Sequence, residues 1–106
     1  MSHMPQTRIA FKVHGTVQAI AYYRDFTQKC ANLDELNGWV RNTTCGRVEG
    51  EAQSSDEKVQ RFLQRIQKGP SRALVVKLEK RELDVRDDEE GFVVMRTADS
   101  MFEARD

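Results

Sequence analysis

An α+β domain of ferredoxin-like, split β-α-β topology, with a mainly antiparallel sheet and both helices on one face, is predicted by three observations in this 106-residue chain. Apolar residues alternate with period two in several short runs, the pattern of half-buried strands. Two other segments carry apolar stripes at helical spacing. Turn residues punctuate these segments so that they follow in the order β-α-β-β-α-β.

The first strand is residues 8–14, with Ile9, Phe11 and Val13 on one face and Arg8, Lys12 and His14 on the other. The backbone turns on Gly15 and a helix is expected to begin near Tyr22. From Tyr23, apolar positions recur at Phe26, Cys30 and Leu33 and define the stripe that should face the sheet, which makes Cys30 a buried core thiol. Residues 36–42 and 46–52 form a hairpin through Thr43-Thr44-Cys45-Gly46, where Gly46 supplies positive φ. Ser54 and Glu57 have the spacing of a capping box ahead of a second stripe, Val59, Phe62, Leu63 and Ile66. Gly69-Pro70 ends that helix. Leu74, Val76 and Leu78 alternate with Val75, Lys77 and Glu79 in a fourth strand, residues 87–90 form a solvated acidic loop, and residues 92–95 give a short fifth strand. The tail, residues 97–106, has only Met101 and Phe102 to anchor it, so it frays or lengthens the last strand. Phe11, Phe26, Trp39, Phe62 and Val76 are expected in the core, Trp39 as a packing aromatic.

A chain of this length supports one domain. Residues 1–4 resemble a cloning remnant, leaving residues 5–106 as the domain. Lys plus Arg and Asp plus Glu each total 17, so the formal charge is zero and no global field draws in nucleic acid or membrane. Without a membrane-spanning run or a signal peptide pattern, the expectation is a cytoplasmic monomer. The two cysteines allow at most one disulfide, and Cys30 in a core stripe and Cys45 at a hairpin tip are expected to be free.

The stretch 14–27, His-Gly-Thr-Val-Gln-Ala-Ile-Ala-Tyr-Tyr-Arg-Asp-Phe-Thr, holds the chemistry. A strand feeding a helix through a turn makes an anion site from unpaired N–H groups, and Arg24 adds a planar fork suited to phosphate. A plain surface arginine paired with Asp25 is the alternative for Arg24. Asn42 reads on its own as a hairpin-capping residue. His14 reads as a solvated strand-end imidazole and Cys45 as an exposed thiol. A nucleophilic Cys45 with His14 as base is a lesser alternative. No glycine-rich nucleotide loop, H-E-x-x-H or paired C-x-x-C occurs, so no metal, nucleotide or other cofactor is expected.

Val13, Gly15, Val17, Gln18, Ile20, Arg24 and Thr27, together with Gly38-Trp39-Val40-Arg41-Asn42, Gly46 and Val48, resemble the two signatures of the acylphosphatase family over roughly residues 9–96. That resemblance implies a ferredoxin-like fold and cofactor-free hydrolysis of carboxyl-phosphate anhydrides. The substrate would be a small acyl phosphate, with inorganic phosphate or sulfate able to occupy the same site. Carried over residue by residue, the cradle is Gly15, Thr16, Val17, Gln18, Ala19, Ile20 and Ala21, Arg24 is the phosphate ligand, and Asn42 orients the attacking water.

Several positions depart from the family pattern. Ala19 stands where glycine is usual, Ala21 stands where a small or flexible residue is frequent, and one extra residue lies between Gly15 and Arg24. Glu35 replaces the glycine that ends the first helix, which suggests a different helix exit, and Cys45 replaces a polar turn residue. The extra residue either bulges between Gln18 and Tyr23, keeping Arg24 in place, or starts the helix early and turns Arg24 by about 100°. The kept spacing from Arg24 through Thr27 to Trp39 favours the bulge. The expectation is hydrolysis weakened by the altered loop. The alternatives are a catalytically inactive anion-binding or engineered scaffold domain and an engineered cysteine hydrolase.

Overall fold

The computed structural model describes residues 5–16, 20–69 and 74–102, with the side chains of residues 15, 16, 20–22 and 74–76 outside that description. Its elements are β1 (Gln6–Thr16), α1 (Ile20–Leu33), β2 (Asn37–Asn42), β3 (Val48–Ser55), α2 (Asp56–Lys68), β4 (Leu74–Leu83) and β5 (Phe92–Val94). They form one sheet in the order β4-β1-β3-β2-β5. Every pairing is antiparallel except β2 with β5, which is parallel. Helix α1 packs on β2, β5 and α2, while α2 packs on β1, β3 and β4, so both helices cover one face as expected.

The strand register explains that face. Ile9, Phe11 and Val13 stand opposite Ala52, Gly50 and Val48, which in turn stand opposite Gly38, Val40 and Asn42. Onto these rows α2 lowers Val59, Phe62, Leu63 and Ile66, all buried, and Phe62 meets Phe11 edge-on with ring centroids 5.4 Å apart. Phe11 and Phe62 are thus core residues as expected. Trp39 is also buried but lies outside the main cluster, under the Arg41 guanidinium 4.8 Å from its ring centroid. The Val76 side chain and residues 1–4 fall outside the description.

Helix α1 corrects three expectations. It begins at Ile20 rather than near Tyr22, and its buried positions among the described side chains are Tyr23, Thr27, Cys30 and Ala31. Phe26 is half-buried at the margin of the core, and Leu33 is 65% exposed. Counted at 100° per residue, Tyr23, Thr27, Cys30 and Ala31 share one narrow arc, and Leu33 falls well outside it. The exit also differs from the expected one. Glu35 takes φ 59°, Leu36 N–H donates to Ala31 C=O at 2.9 Å, and Glu35 N–H donates to Asn32 C=O at 3.1 Å. This is the Schellman ending that glycine normally makes, closed by the buried pair Ala31 and Leu36.

The predicted capping box is absent. Ser54 still pairs with Thr7 in the β1–β3 ladder, and Ser55 takes the N-cap position without a side-chain cap bond. Asp56 and Glu57 in the first turn of α2 complement its dipole instead. Gly69 closes the other end at φ 73°, its N–H donating to Arg65 C=O at 2.9 Å.

The second face of the sheet is polar and yet covered. Arg8, Lys12, Glu49 and Gln53 are each at least 96% buried. Arg8 donates to Glu51 at 2.6 and 2.9 Å, to Glu89 at 2.7 and 3.1 Å, and to Gln53 at 3.0 Å. The acidic loop is therefore not wholly solvated, since Glu89 folds back onto a buried cation. Nor does the described part of the tail, through Phe102, fray or hang by apolar anchors alone: Ser100 and Met101 both hydrogen-bond Glu49.

Candidate active site

Val48 is the register partner of both Val13 and Asn42, so β1, β3 and β2 lie abreast at the end of the sheet where β1 leaves toward α1. Asn42 is the last residue of β2, on the face that the helices cover. It is 91% buried, and its Oδ1 has no hydrogen-bond partner among the described residues. Leaving a buried amide oxygen without a partner costs roughly 1–3 kcal/mol, so this atom has a hydrogen bond to gain that the described residues do not supply. The sequence-based reading of Asn42 as a hairpin cap fails here, because the hairpin closes without its side chain. Thr43 N–H donates to Arg47 C=O at 2.8 Å, Gly46 N–H donates to Thr43 C=O at 3.0 Å, and Gly46 takes φ 83°. These are the features of a three-residue hairpin loop with a left-handed glycine.

Arg24 lies in the second turn of α1, next to the buried Tyr23. Its Nε donates to Asp25 Oδ1 at 3.2 Å, with the side chain 26% exposed. Of the expected cradle, the backbone of Gly15 and Thr16 ends β1, with a register shift against β4 between His14 and Gly15. Ile20 and Ala21 open α1. Val17, Gln18 and Ala19 fall outside the described residues, and with them any bulge ahead of Ile20.

His14 is not simply solvated. Arg47 Nε donates to its Nδ1 at 2.8 Å, and its Nε2 faces Glu79 Oε2 at 2.7 Å. Partial desolvation raises the Glu79 carboxyl, but the His14 hydrogen bond and charge, with Lys77 and Lys12, hold it below its ordinary value. Cys45 is exposed, with Sγ 3.1 Å from Thr43 Oγ1. Both His14 ring nitrogens are thus engaged elsewhere, and the described contacts do not bring them to Cys45. Cys30 is free and buried, and desolvation pushes its thiol up. Burial likewise raises the Tyr23 phenol, whose hydroxyl donates to Ile66 C=O.

Sequence reasoning missed the cluster behind Asn42. Arg41 Nη2 and Nε donate to Glu49 Oε2 at 2.8 and 3.0 Å, and Ser100 Oγ donates to Glu49 Oε1 at 2.7 Å. The signal was there in Lys12, Glu49 and Arg41, charged residues on the inner strands of the sheet, which must find partners when covered. No helix among the described residues is long and apolar enough to cross a membrane.

Fold and site together define a small α+β domain in which Asn42, whose Oδ1 has no partner among the described residues, ends β2 abreast of β1. Residues 9–94 match the acylphosphatase family model. The acylphosphatase of Geobacillus thermodenitrificans is 40% identical over 88 residues, covering 83% of this chain and 93% of that one. That of Oceanobacillus iheyensis is 42% identical over 76 residues, covering 71% of this chain and 82% of the relative. The solved acylphosphatase from Coxiella burnetii superposes with a TM-score of 0.77 at 30% identity, covering 85% of this chain and 93% of that one. The chain belongs to the acylphosphatase family.

Proposed function

We propose that the protein hydrolyses small acyl phosphates, with Asn42 holding the attacking water and Arg24 and the 15–21 loop holding the phosphoryl group. The observation that carries this reading is the buried Asn42 Oδ1, which has no partner among the described residues. A water donating to that oxygen would satisfy it and turn a lone pair toward phosphorus. Attack forms a new P–O bond and breaks the bond to the acyl oxygen. The products are phosphate, which keeps the water's oxygen and protons, and a carboxylate. A carboxylate leaves readily, so positioning and charge stabilisation suffice for the protein's part. Arg24 serves by breaking its exposed contact with Asp25, a pair worth little in water.

Turnover is weaker than in a glycine-containing cradle, because Ala19 resists the left-handed backbone by roughly 1 kcal/mol or more and the extra residue lengthens the loop. Ala19 and the extra loop residue favour a second reading, a domain that holds phosphate without turnover. Benzoyl phosphate hydrolysis and inorganic phosphate binding decide between them. The protein, Arg24→Ala, Asn42→Ala and a variant with one loop residue deleted and Ala19→Gly are compared. Asn42→Ala should lower kcat by about 10²-fold with little change in phosphate affinity, and Arg24→Ala should weaken phosphate binding as well. Hydrolysis unaffected by Asn42→Ala overturns the assignment; phosphate binding without hydrolysis supports the second reading. The loop-restored variant should be faster than the unmodified protein, and equality of the two rules out an impaired loop.

A further inference from the structure

We infer that residues 98–102 form a strap that holds Asn42 in its working position, so that the site depends on a segment lying beyond the family match, which ends at residue 94. The inference rests on the reading of Asn42 as the water ligand.

Strand β5 ends its ladder at the pair Val40 and Val94, two residues short of Asn42. The end of β2 would then have an open outer edge. The tail closes it. Met95 N–H donates to Val40 C=O at 2.8 Å, Ala98 N–H to Asn42 C=O at 3.3 Å, and Thr44 N–H to Ala98 C=O at 3.0 Å. On the inner side Thr43 is held by Arg47, so the backbone around Asn42 is clamped from both directions.

Beyond Ala98 the chain crosses the second face of the sheet. Thr44 Oγ1 donates to Asp99 Oδ1 at 2.7 Å, and Arg41 Nη2 donates to Asp99 C=O at 3.3 Å. Ser100 Oγ donates to Glu49 Oε1 at 2.7 Å and accepts from Lys12 Nζ at 3.0 Å and Phe102 N–H at 3.1 Å. Met101 N–H adds a bond to Glu49 Oε2 at 3.2 Å, and the Arg81 guanidinium sits 4.9 Å from the Phe102 ring centroid. Glu49 is fully buried and adjoins Val48, the register partner of Asn42. The strap thus ties the hairpin to β3, β1 and β4.

The link to chemistry is Asn42 Oδ1, which has no partner among the described residues. A buried acceptor kept open for a water stays in place only while the backbone prevents it from turning out to solvent. The strap supplies that restraint and touches neither phosphate nor water, which makes Ala98 and Ser100 positioning residues.

The test uses Ala98→Pro, which deletes the N–H given to Asn42, and Ser100→Ala, which removes the hydroxyl that bridges Glu49 and Lys12 with less disturbance. Each is made in the full chain and again with Asn42→Ala, and kcat, KM for benzoyl phosphate and the inhibition constant of inorganic phosphate are measured. The expected result is a kcat lowered about fivefold or more, KM and phosphate inhibition within about twofold, and no further loss in the Asn42→Ala background. A kcat loss that persists in that background, or a lowered thermal midpoint with kcat unchanged, overturns the strap's role. If the full chain hydrolyses no benzoyl phosphate, the proposed function fails by itself. The strap is then judged by the Asn42 side-chain amide NMR signal under saturating inorganic phosphate. Ala98→Pro or Ser100→Ala should abolish the shift seen in the full chain, and an unchanged shift in both overturns the inference.

Discussion

Arg65 Nη1 lies 3.1 Å from Asp34 Oδ2, and through this ion pair the second helix holds the C-terminal end of the first. Arg61 Nη1 takes the other oxygen, Oδ1, at the same distance. An acid at a helix C-terminus is disfavoured by the helix dipole, so the two arginines offset what the sequence places badly. Asp34 is 7% exposed, whereas the arginine side chains are 43% and 38% exposed and can rehydrate. Asp34→Ala is therefore expected to cost about 1–2 kcal/mol rather than the larger loss seen for fully buried pairs. Urea unfolding at low and at 1 M salt checks this, and the cost should shrink with salt.

Glu35 at φ 59° does the work of a glycine. A side chain in left-handed backbone costs about 1 kcal/mol, and the Lys58 contact at 3.6 Å that would be lost is exposed. Glu35→Gly should raise stability by roughly 0.5–1 kcal/mol, allowing for the greater freedom of the unfolded chain. A lower midpoint of unfolding in that variant contradicts the account.

Gly38 has the opposite sensitivity. At φ 146° a Cβ there would lie 2.0 Å from the Glu51 carbonyl oxygen, with the neighbouring strand unable to retreat without breaking its ladder. Gly38→Ala should destabilise by about 3 kcal/mol or more, measured by chemical denaturation.

The His14–Glu79 pair gives a pH dependence of defined sign. Since the folded-state value of Glu79 lies below the unfolded one, near 4.5, its contribution is complete above that value and disappears as pH falls through the lower folded-state value. The stability difference between the protein and Glu79→Gln should accordingly narrow as pH is lowered below the unfolded value and vanish once Glu79 is protonated in the folded protein. A difference that grows on acidification contradicts the assignment.

The sheet and its helices were legible because period two survives in the apolar residues of β1 and period 3.6 in those of α2, while the turn from Thr43 to Gly46 marks where β2 ends at Asn42. The start of α1 was not. Ile20, Ala21, Tyr22 and Tyr23 are apolar or aromatic without a capping residue ahead of them, so nothing local marks the first turn. Glu35 was misleading, since an acidic residue seldom adopts left-handed backbone. The tail was illegible for another reason: it docks by Ser100 and backbone groups onto Glu49, and polar contacts between distant residues leave no periodic trace.

Strand β1 comes first in sequence yet lies inside the sheet, with Arg8 paired to both Gln53 and Leu83. Neither neighbour exists until much of the chain has been made, and each pairing closes a long loop before it yields a contact. This inner strand must wait while its neighbours β3 and β4 are made. Refolding followed by stopped-flow fluorescence of Trp39, on the strand next to β3, is accordingly expected on the millisecond-to-second scale of nonlocal β pairing, slower than a helical bundle of equal length.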